Sequence, residues 1–365
     1  MAIKLDEMRK LVSAYDSNNL TIATIGSHSA LDICDGAKEE GFKTLVVCQK
    51  GREKTYKRFK RIVDETLVLD KFSDMVKPEV QKRLTDSNSL FIPNRSFSTY
   101  VGYNAIENDF KVPLLGSRMM LRSEEREIPK NQYQLLEIAG IRYPKKVKSP
   151  AEIRRLSIVK IQESERKLER AFFTCSSPRE YEKKVEDRVR QGLIKREDLK
   201  NSTIEEFVIG ALFNFNFFYS PLNKEIDFLG ADRRLQTNLD GILHLTADQQ
   251  LEIKLVSRNI EIGHMLATVR ESMLERVFEM GEKFVEATKK EYPPGIIGPF
   301  ALQGAVDPNL EITIFDVSPR VPGSPVLEIS PYGKHYFGHF TSTGRRIAME
   351  VAQAAKENRL AEVVT

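Results

Sequence analysis

Along the opening third of the chain, short apolar runs alternate with stretches whose apolar residues recur every three to four positions. Residues 1–18 carry the spacing of a short amphipathic helix. Residues 20–25 (LTIATI) read as a strand, 26–29 (GSHS) as the turn after it, and 30–40 as a helix ended by Gly41; residues 44–48 (TLVVC) are the next strand. This order of strand, turn, helix and strand predicts a parallel, doubly wound sheet. Further strands are expected at 66–69, 89–93 and 112–115, with helices at 73–84 and 100–108. Ligands of such sheets sit outside the carboxyl ends of the strands. Two turns fall there, Gly26-Ser27-His28-Ser29 and Asn94-Arg95-Ser96-Phe97. Their hydroxyls, with the N–H groups of the helices that follow, suit a phosphate. His28 is the only histidine before residue 240. It reads equally well as a ligand contact and as a hydrogen-bonded helix cap.

The pattern changes after residue 116. Residues 118–130 (RMMLRSEEREIPK) read as a solvated charged face, although Arg118 and Arg122 follow a strand end closely enough to face the same pocket. A helix is expected at 131–139, closed by Gly140, and a helix start at 149–152. Residues 156–161 (LSIVKI) form a strand with one lysine, Lys160, either turned to solvent or held for an anionic ligand. Residues 170–175 are its partner strand, and 177–191 a charged helix. Residues 203–210 form a strand with adjacent carboxylates, Glu205 and Glu206. Neighbours on a strand face opposite sides, so one of the two enters a pocket. Backbone groups near Phe207 and Val208 suit the edge of an adenine. Residues 213–222 read as a core strand with edge amides, and 226–234 as a strand ending in charge at Asp232. Residues 269–290 have the helical period of a core helix, with Arg270 at its start, and 343–357 form a closing helix. His335 and His339 have a metal-site spacing, but Pro331, Gly333 and Gly338 make this stretch a loop.

Residues 300–303 and 310–316 alternate apolar with polar or small side chains across the turn Asp307-Pro308-Asn309. The strands end in Gln303 and Asp316, which a hairpin places side by side. Paired oxygens suit a hard cation such as Mg²⁺, and Arg320 lies within reach of a transferring phosphoryl group. The plainer alternative is a surface hairpin with a polar end.

Composition narrows the setting. A chain of 365 residues holds two or three domains. Its net charge of +4, with both signs interspersed, is not a nucleic-acid footprint. No apolar run approaches the ~20 residues of a membrane span, and the charged start is no signal peptide. Cys34, Cys48 and Cys175 lack CxxC spacing, which fits a reducing cytoplasm.

Several stretches, among them TIATIGSHSALDICDGAKEEGF, LLEIAGIRYP, IEEFVIG, DRRLQTNLDG, VRESMLERVFEMGEKFV, PPGIIGPFALQ and STGRRIAMEV, run nearly end to end in an order that resembles the archaeal formate-dependent FAICAR synthetases of the ATP-grasp superfamily. The resemblance implies an α/β (α+β) fold, with an N-terminal parallel doubly wound pre-ATP-grasp domain (1–122) and a two-lobed ATP-grasp domain (small lobe 123–204, large lobe 205–365). It implies a ligase that phosphorylates formate with ATP and passes the formyl group to the amine of aminoimidazole-carboxamide ribonucleotide (AICAR). ATP is the co-substrate, Mg²⁺ (or Mn²⁺) the metal, and a homo-oligomer the assembly. His28 and Arg320 are expected to be catalytic. His28, Ser29, Ser96, Arg118, His264 and Arg270 are assigned to substrate. Lys160, Glu205, Glu206, Phe207, Val208 and Asp232 are assigned to ATP, and Gln303 and Asp316 to the metal.

Three departures from the family pattern stand out. Residues 163–170 (ESERKLER) lack the family's phosphate-cradling glycines, leaving Arg166, Lys167 and Arg170 to act by charge. Gln134 replaces a basic ATP contact, with Lys130 one turn away. His264 replaces an asparagine facing the ribonucleotide, and Pro322-Gly323-Ser324-Pro325 replaces an asparagine-rich loop. Alternatives to the leading reading are therefore a ligase of the same build with another carboxylate and amine, or a non-catalytic purine-ribonucleotide-binding relative.

Overall fold

The computed structural model describes residues 2–126, 128–161, 172–252 and 260–365, and among these thirteen strands form three sheets. The first is parallel: β1 (Thr21–Ile25), β2 (Lys43–Gln49), β3 (Glu65–Leu69) and β4 (Ser89–Ile92), in the order β3-β2-β1-β4. Every residue of β1 and β4 is buried, which is why these segments are apolar rather than alternating. The expected strand at 112–115 is reduced to bridges, Phe91 with Leu114 and Leu115 with Val364. Pro113 has no N–H to give a ladder. Pro78 divides the helix expected at 73–84 into Phe72–Val76 and Pro78–Asp86. Gly102, at φ +86°, divides the helical stretch before Asp109 into Arg95–Val101 and Tyr103–Asn108.

The second sheet is antiparallel: β5 (Lys146–Val147), β6 (Ser157–Ile161), β7 (Phe172–Cys175) and β8 (Ser202–Glu206), in the order β5-β8-β6-β7. β8 stops at Glu206, short of the expected residue 210. Helix Pro178–Arg190 covers this sheet with Tyr181 and Val185, against Val159 and Phe173.

The third sheet, also antiparallel, contains β9 (Ala211–Ser220), β10 (Glu225–Gln236), β11 (Glu261–Ala267), β12 (Gly298–Val306) and β13 (Ile312–Ser318), in the order β11-β10-β9-β12-β13. Helix Leu274–Glu291 lays Val277 and Phe284 on Phe217, Phe228 and Phe300. Residues 331–337 form a helix where a loop is expected. Ser330 caps its start by accepting from the Tyr332 N–H, Pro331 takes the first position, and Gly338 ends it at φ +74°.

The closing helix, Thr343–Lys356, crosses helix Ala30–Glu39 and so joins the third sheet to the first. A Cβ at Gly36 would fall on the Arg345 backbone, and one at Gly344 on the Asp32 carbonyl. Gly344→Ala is therefore expected to lower stability by about 1–3 kcal/mol, read as an earlier denaturant midpoint at unchanged slope. An unchanged midpoint would show that the crossing relaxes freely.

Candidate functional site

The first group of side chains stands at the carboxyl edge of the parallel sheet, where the strand order reverses between β1 and β4. The Asn94 side chain donates to the Ile25 carbonyl (3.2 Å) and accepts from the Ser96 and Phe97 N–H groups, so it pins the two turns together. Ser96 Oγ meets Ser27 Oγ at 2.6 Å. Ser29 sits at φ 69°, an uncommon backbone for a residue with a Cβ. Its hydroxyl donates to the Pro322 carbonyl (2.9 Å) and lies 3.2 Å from His28 Nδ1. The two turns singled out from sequence thus converge.

Facing them are β10, β11 and the loop after β13. His264 Nδ1 lies 2.6 Å from Asp232, and its Nε2 lies 3.0 Å from Glu261. His28 Nε2 is 3.7 Å from the same Glu261 oxygen, and Arg234 Nε is 3.1 Å from the other. Asp232 is fully buried and accepts from Asn214 (3.0 Å), Asn216 (2.8 Å) and Ser324 (2.8 Å). Burial works against a charge on His264, but its two carboxylate partners prevail and push it up to about 9. Burial would raise Glu261, but His264, His28 and Arg234 hold it well below the usual carboxylate range. A Cβ at Gly323 would overlap the His28 ring, so glycine here lets the loop after β13 lie against the imidazole.

The second group lies on the β12–β13 hairpin. Gln303 is paired directly with Asp316, as expected, and cross-strand partners project from one face. They sit inside their strands rather than at the ends, because β12 continues to Val306 before the turn at Asp307. An amide and a carboxylate oxygen on one face fit a hard divalent cation. Arg126 donates to Asp316 (3.0 Å). The segment bearing Arg126 is fastened to β13 by Gln132, which donates to the Glu124 carbonyl (2.7 Å) and accepts from the Val317 N–H (2.8 Å). Asn131 caps the helix that presents Tyr133.

Tyr133 joins this hairpin to the second sheet. Its hydroxyl lies 2.7 Å from Glu205, 3.4 Å from Lys160 and 3.4 Å from the Phe315 carbonyl. Lys160 is ion-paired with Glu205, and the two are 9% and 1% exposed. Lys160 is therefore turned inward, toward the strand that carries Asp316. Burial pushes the Tyr133 hydroxyl up to about 12, keeping it neutral.

Several sequence expectations need correction. Arg118 does not face a pocket. It is buried, with its guanidinium donating to the carbonyls of Ile106, Phe110, Val112 and Thr365. Its charge is consumed by backbone oxygens that a loop cannot otherwise satisfy. Arg320 does not extend toward a phosphoryl group: Nε donates to Glu124 (2.9 Å), which also pairs with Arg95. Burial lowers the Arg320 guanidinium although Glu124 opposes this. Asp232 belongs with His264, not with Lys160. Arg270 is exposed at the turn before the core helix. Glu206 faces outward to Arg155 (3.3 Å), so Glu205 is the inward carboxylate. The Phe207 N–H donates to the Leu156 carbonyl (3.1 Å) and is not open to an adenine edge. The Lys130 ammonium lies on the Glu291 carbonyl (2.8 Å), away from Lys160. Arg166, Lys167 and Arg170 fall outside the described residues. Tyr133, Arg126, Glu261 and Arg234 were not anticipated. Nothing local marks them, except that Arg126 lies in a charged run next to a helix cap.

A cleft of about 430 Å³ lies at the opposite, amino end of β1, among Ser17, Asn19, Lys43 and Lys356, and shares no residue with either group. Of its titratable side chains, Lys43 donates to Asn19 (2.7 Å) and Glu40 accepts from Arg345 (2.9 Å).

Residues 22–147 match a family described as a protein of unknown function (DUF1246), and residues 180–365 one described as a domain of unknown function (DUF1297). A 5-formaminoimidazole-4-carboxamide-1-(beta)-D-ribofuranosyl 5'-monophosphate synthetase of Methanothermobacter thermautotrophicus is 41% identical over 100% of this chain and 99% of its own. The crystal structure of an IMP biosynthesis protein PurP from Thermococcus kodakaraensis matches at a TM-score of 0.70 and 30% identity, covering 94% of this chain and 100% of that one. An ADP complex of N5-carboxyaminoimidazole ribonucleotide synthetase has a TM-score of 0.62 at 12% identity, over 92% of this chain and 77% of the other, a likeness of fold alone.

Proposed function

The chain belongs to the family of the 5-formaminoimidazole-4-carboxamide ribonucleotide (FAICAR) synthetases, and on that premise we propose that it is an ATP-grasp carbon–nitrogen ligase converting AICAR to FAICAR with ATP and formate, in purine biosynthesis. One observation carries the reading: Tyr133 brings the inward-facing Lys160–Glu205 pair of the second sheet up to the strand holding Asp316 in register with Gln303.

The triphosphate lies between these sheets, its charge met by Lys160. Gln303 and Asp316 would hold Mg²⁺ or Mn²⁺, which, when bound, would offset the charge of the phosphate oxygens. Formate attacks the γ-phosphorus and ADP leaves, giving formyl phosphate. An acyl phosphate persists only where water is kept from it. The ribonucleotide takes the carboxyl edge of the parallel sheet, with its phosphate at the Ser27, Ser29 and Ser96 hydroxyls and His28 beside it. Its amine attacks the formyl carbon, the carbon–oxygen bond to phosphate breaks, and the amine gives up one proton to the departing phosphate. The adenine edge is read by the Phe207 carbonyl and the Val208 N–H. The three sheets support a division into a parallel domain and two lobes. The exposed apolar side chains of edge strand β11, Ile262 and Met265, support a homo-oligomer. No helix among the described residues is long and apolar enough to cross a membrane, in keeping with a cytoplasmic enzyme.

ADP release is the direct test. It is expected only when formate and AICAR are both present with ATP and Mg²⁺. Release that requires a different acid or amine, or none at all, overturns the assignment. Asp316→Asn is expected to weaken Mn²⁺ binding, followed by electron paramagnetic resonance in the presence of ATP, by at least about 10–100-fold. Equal Mn²⁺ binding by variant and wild type would remove Asp316 from the metal seat.

A further inference from the structure

We propose that His28, Glu261 and His264 form a second cation site, selective for a divalent transition metal of the zinc class and separate from the oxygen-lined seat at Gln303 and Asp316. Among the described residues this is the one group of three such side chains whose ligand atoms all lie within 4.8 Å of one another. His264 Nε2 and His28 Nε2 stand 3.0 and 3.7 Å from the same Glu261 oxygen. Ligands held about 2.0–2.2 Å from a tetrahedral ion are separated by roughly 3.3–3.6 Å, so the two separations from Glu261 need shifts of a few tenths of an ångström, and the two imidazole nitrogens, at most 4.8 Å apart, close by no more than about 1.5 Å.

Convergence alone would be a hydrogen-bonded cluster. The groups behind each ligand carry the argument further. His264 gives its remote nitrogen, Nδ1, to Asp232 at 2.6 Å, and Asp232 is itself fixed by Asn214, Asn216 and Ser324. A carboxylate behind a histidine sets the ring's orientation and leaves Nε2 for a metal. The remote nitrogen of His28 lies 3.2 Å from Ser29 Oγ, and that hydroxyl is held by the Pro322 carbonyl. Glu261 keeps one oxygen on Arg234 and turns the other to the two imidazoles. All three ligands are thus anchored from behind and aimed at one point.

The donor set decides the class of ion. Two imidazoles favour zinc, cobalt or nickel over magnesium or calcium, which take oxygen. Two histidines and one carboxylate leave a fourth position open, the arrangement of zinc sites that also accept a ligand.

The test uses the full chain, stripped with a chelator, in excess Mg²⁺ to saturate the oxygen seat, and titrated with Co²⁺. One equivalent is expected to bind with the strong visible absorption of low-coordinate cobalt, and one equivalent of Zn²⁺ is expected to abolish it. His264→Asn and His28→Gln are each expected to weaken Co²⁺ binding by more than about 100-fold. His28 is exposed, so its replacement tests the site even if His264→Asn misfolds; circular dichroism identifies that case. Asp316→Asn is expected to leave the cobalt stoichiometry unchanged. No stoichiometric Co²⁺ binding by the wild type, or equal binding by the wild type and His28→Gln, overturns the proposal.

Discussion

Lys160→Met is expected to lower kcat/KM for ATP by about 10²–10³-fold, measured as ADP formation with formate and AICAR saturating. Lys160 is the inward cation of the second sheet, and it is the side chain that meets the triphosphate in the proposed reaction. The single replacement also leaves Glu205, 1% exposed, without its ion-pair partner. An uncompensated buried carboxylate costs about 3–5 kcal/mol. A loss of turnover could then be a loss of fold. Lys160→Met with Glu205→Gln separates the two, since the neutral amide keeps a partner in the Tyr133 hydroxyl. The double variant is expected to recover most of the thermal stability and little of the turnover. Recovery of both would mean that Lys160 serves Glu205 rather than ATP.

An equally large effect on stability is expected at Arg346, which belongs to neither group of site residues. Its guanidinium is buried, pairs with Asp227 at 2.7 Å and Glu350 at 2.9 Å, and lies over the Phe218 ring at 4.0 Å. Glu350 also accepts from Ser220 at 2.7 Å. Arg346→Met strands two buried carboxylates and is expected to cost about 3–5 kcal/mol in denaturant unfolding. Replacing Arg346, Asp227 and Glu350 together by apolar residues of similar volume is expected to restore most of it, because the desolvation of all three charges is then avoided. A single variant within about 0.5 kcal/mol of wild type would show that water reaches the carboxylates.

Where one side chain decides the structure through its neighbours in sequence, the sequence was readable. The apolar runs of β1, β2 and β4 mark strands covered on both faces. The Asp307-Pro308-Asn309 turn placed the hairpin, and alternation within it placed Gln303 opposite Asp316. The two serine-bearing turns were visible because strand order alone puts them at one edge. What remained hidden depends on distant partners. Strand β11 reads EIGHMLA, with no regular alternation, and is held by pairing with β10. Helix Pro331–Phe337 was hidden by Gly333, where a Cβ would come within 3.0 Å of Thr341. The directions of charged residues were least legible. Arg118, Arg122 and Arg126 lie in one run. Yet Arg118 satisfies backbone carbonyls, Arg122 pairs with Glu107, and Arg126 reaches Asp316 on β13. Asp232 likewise takes its place from Asn214, Asn216 and Ser324, none of which is near it in sequence.

The crossing of helices Ala30–Glu39 and Thr343–Lys356 also bears on how the chain is made. Some three hundred residues of translation separate the two contact faces, so a ribosome delivers the first long before the second. During that interval the flank of the parallel sheet near Gly36 faces the cell uncovered, and this early layer stays exposed to chaperones and to other nascent chains until its last helix arrives.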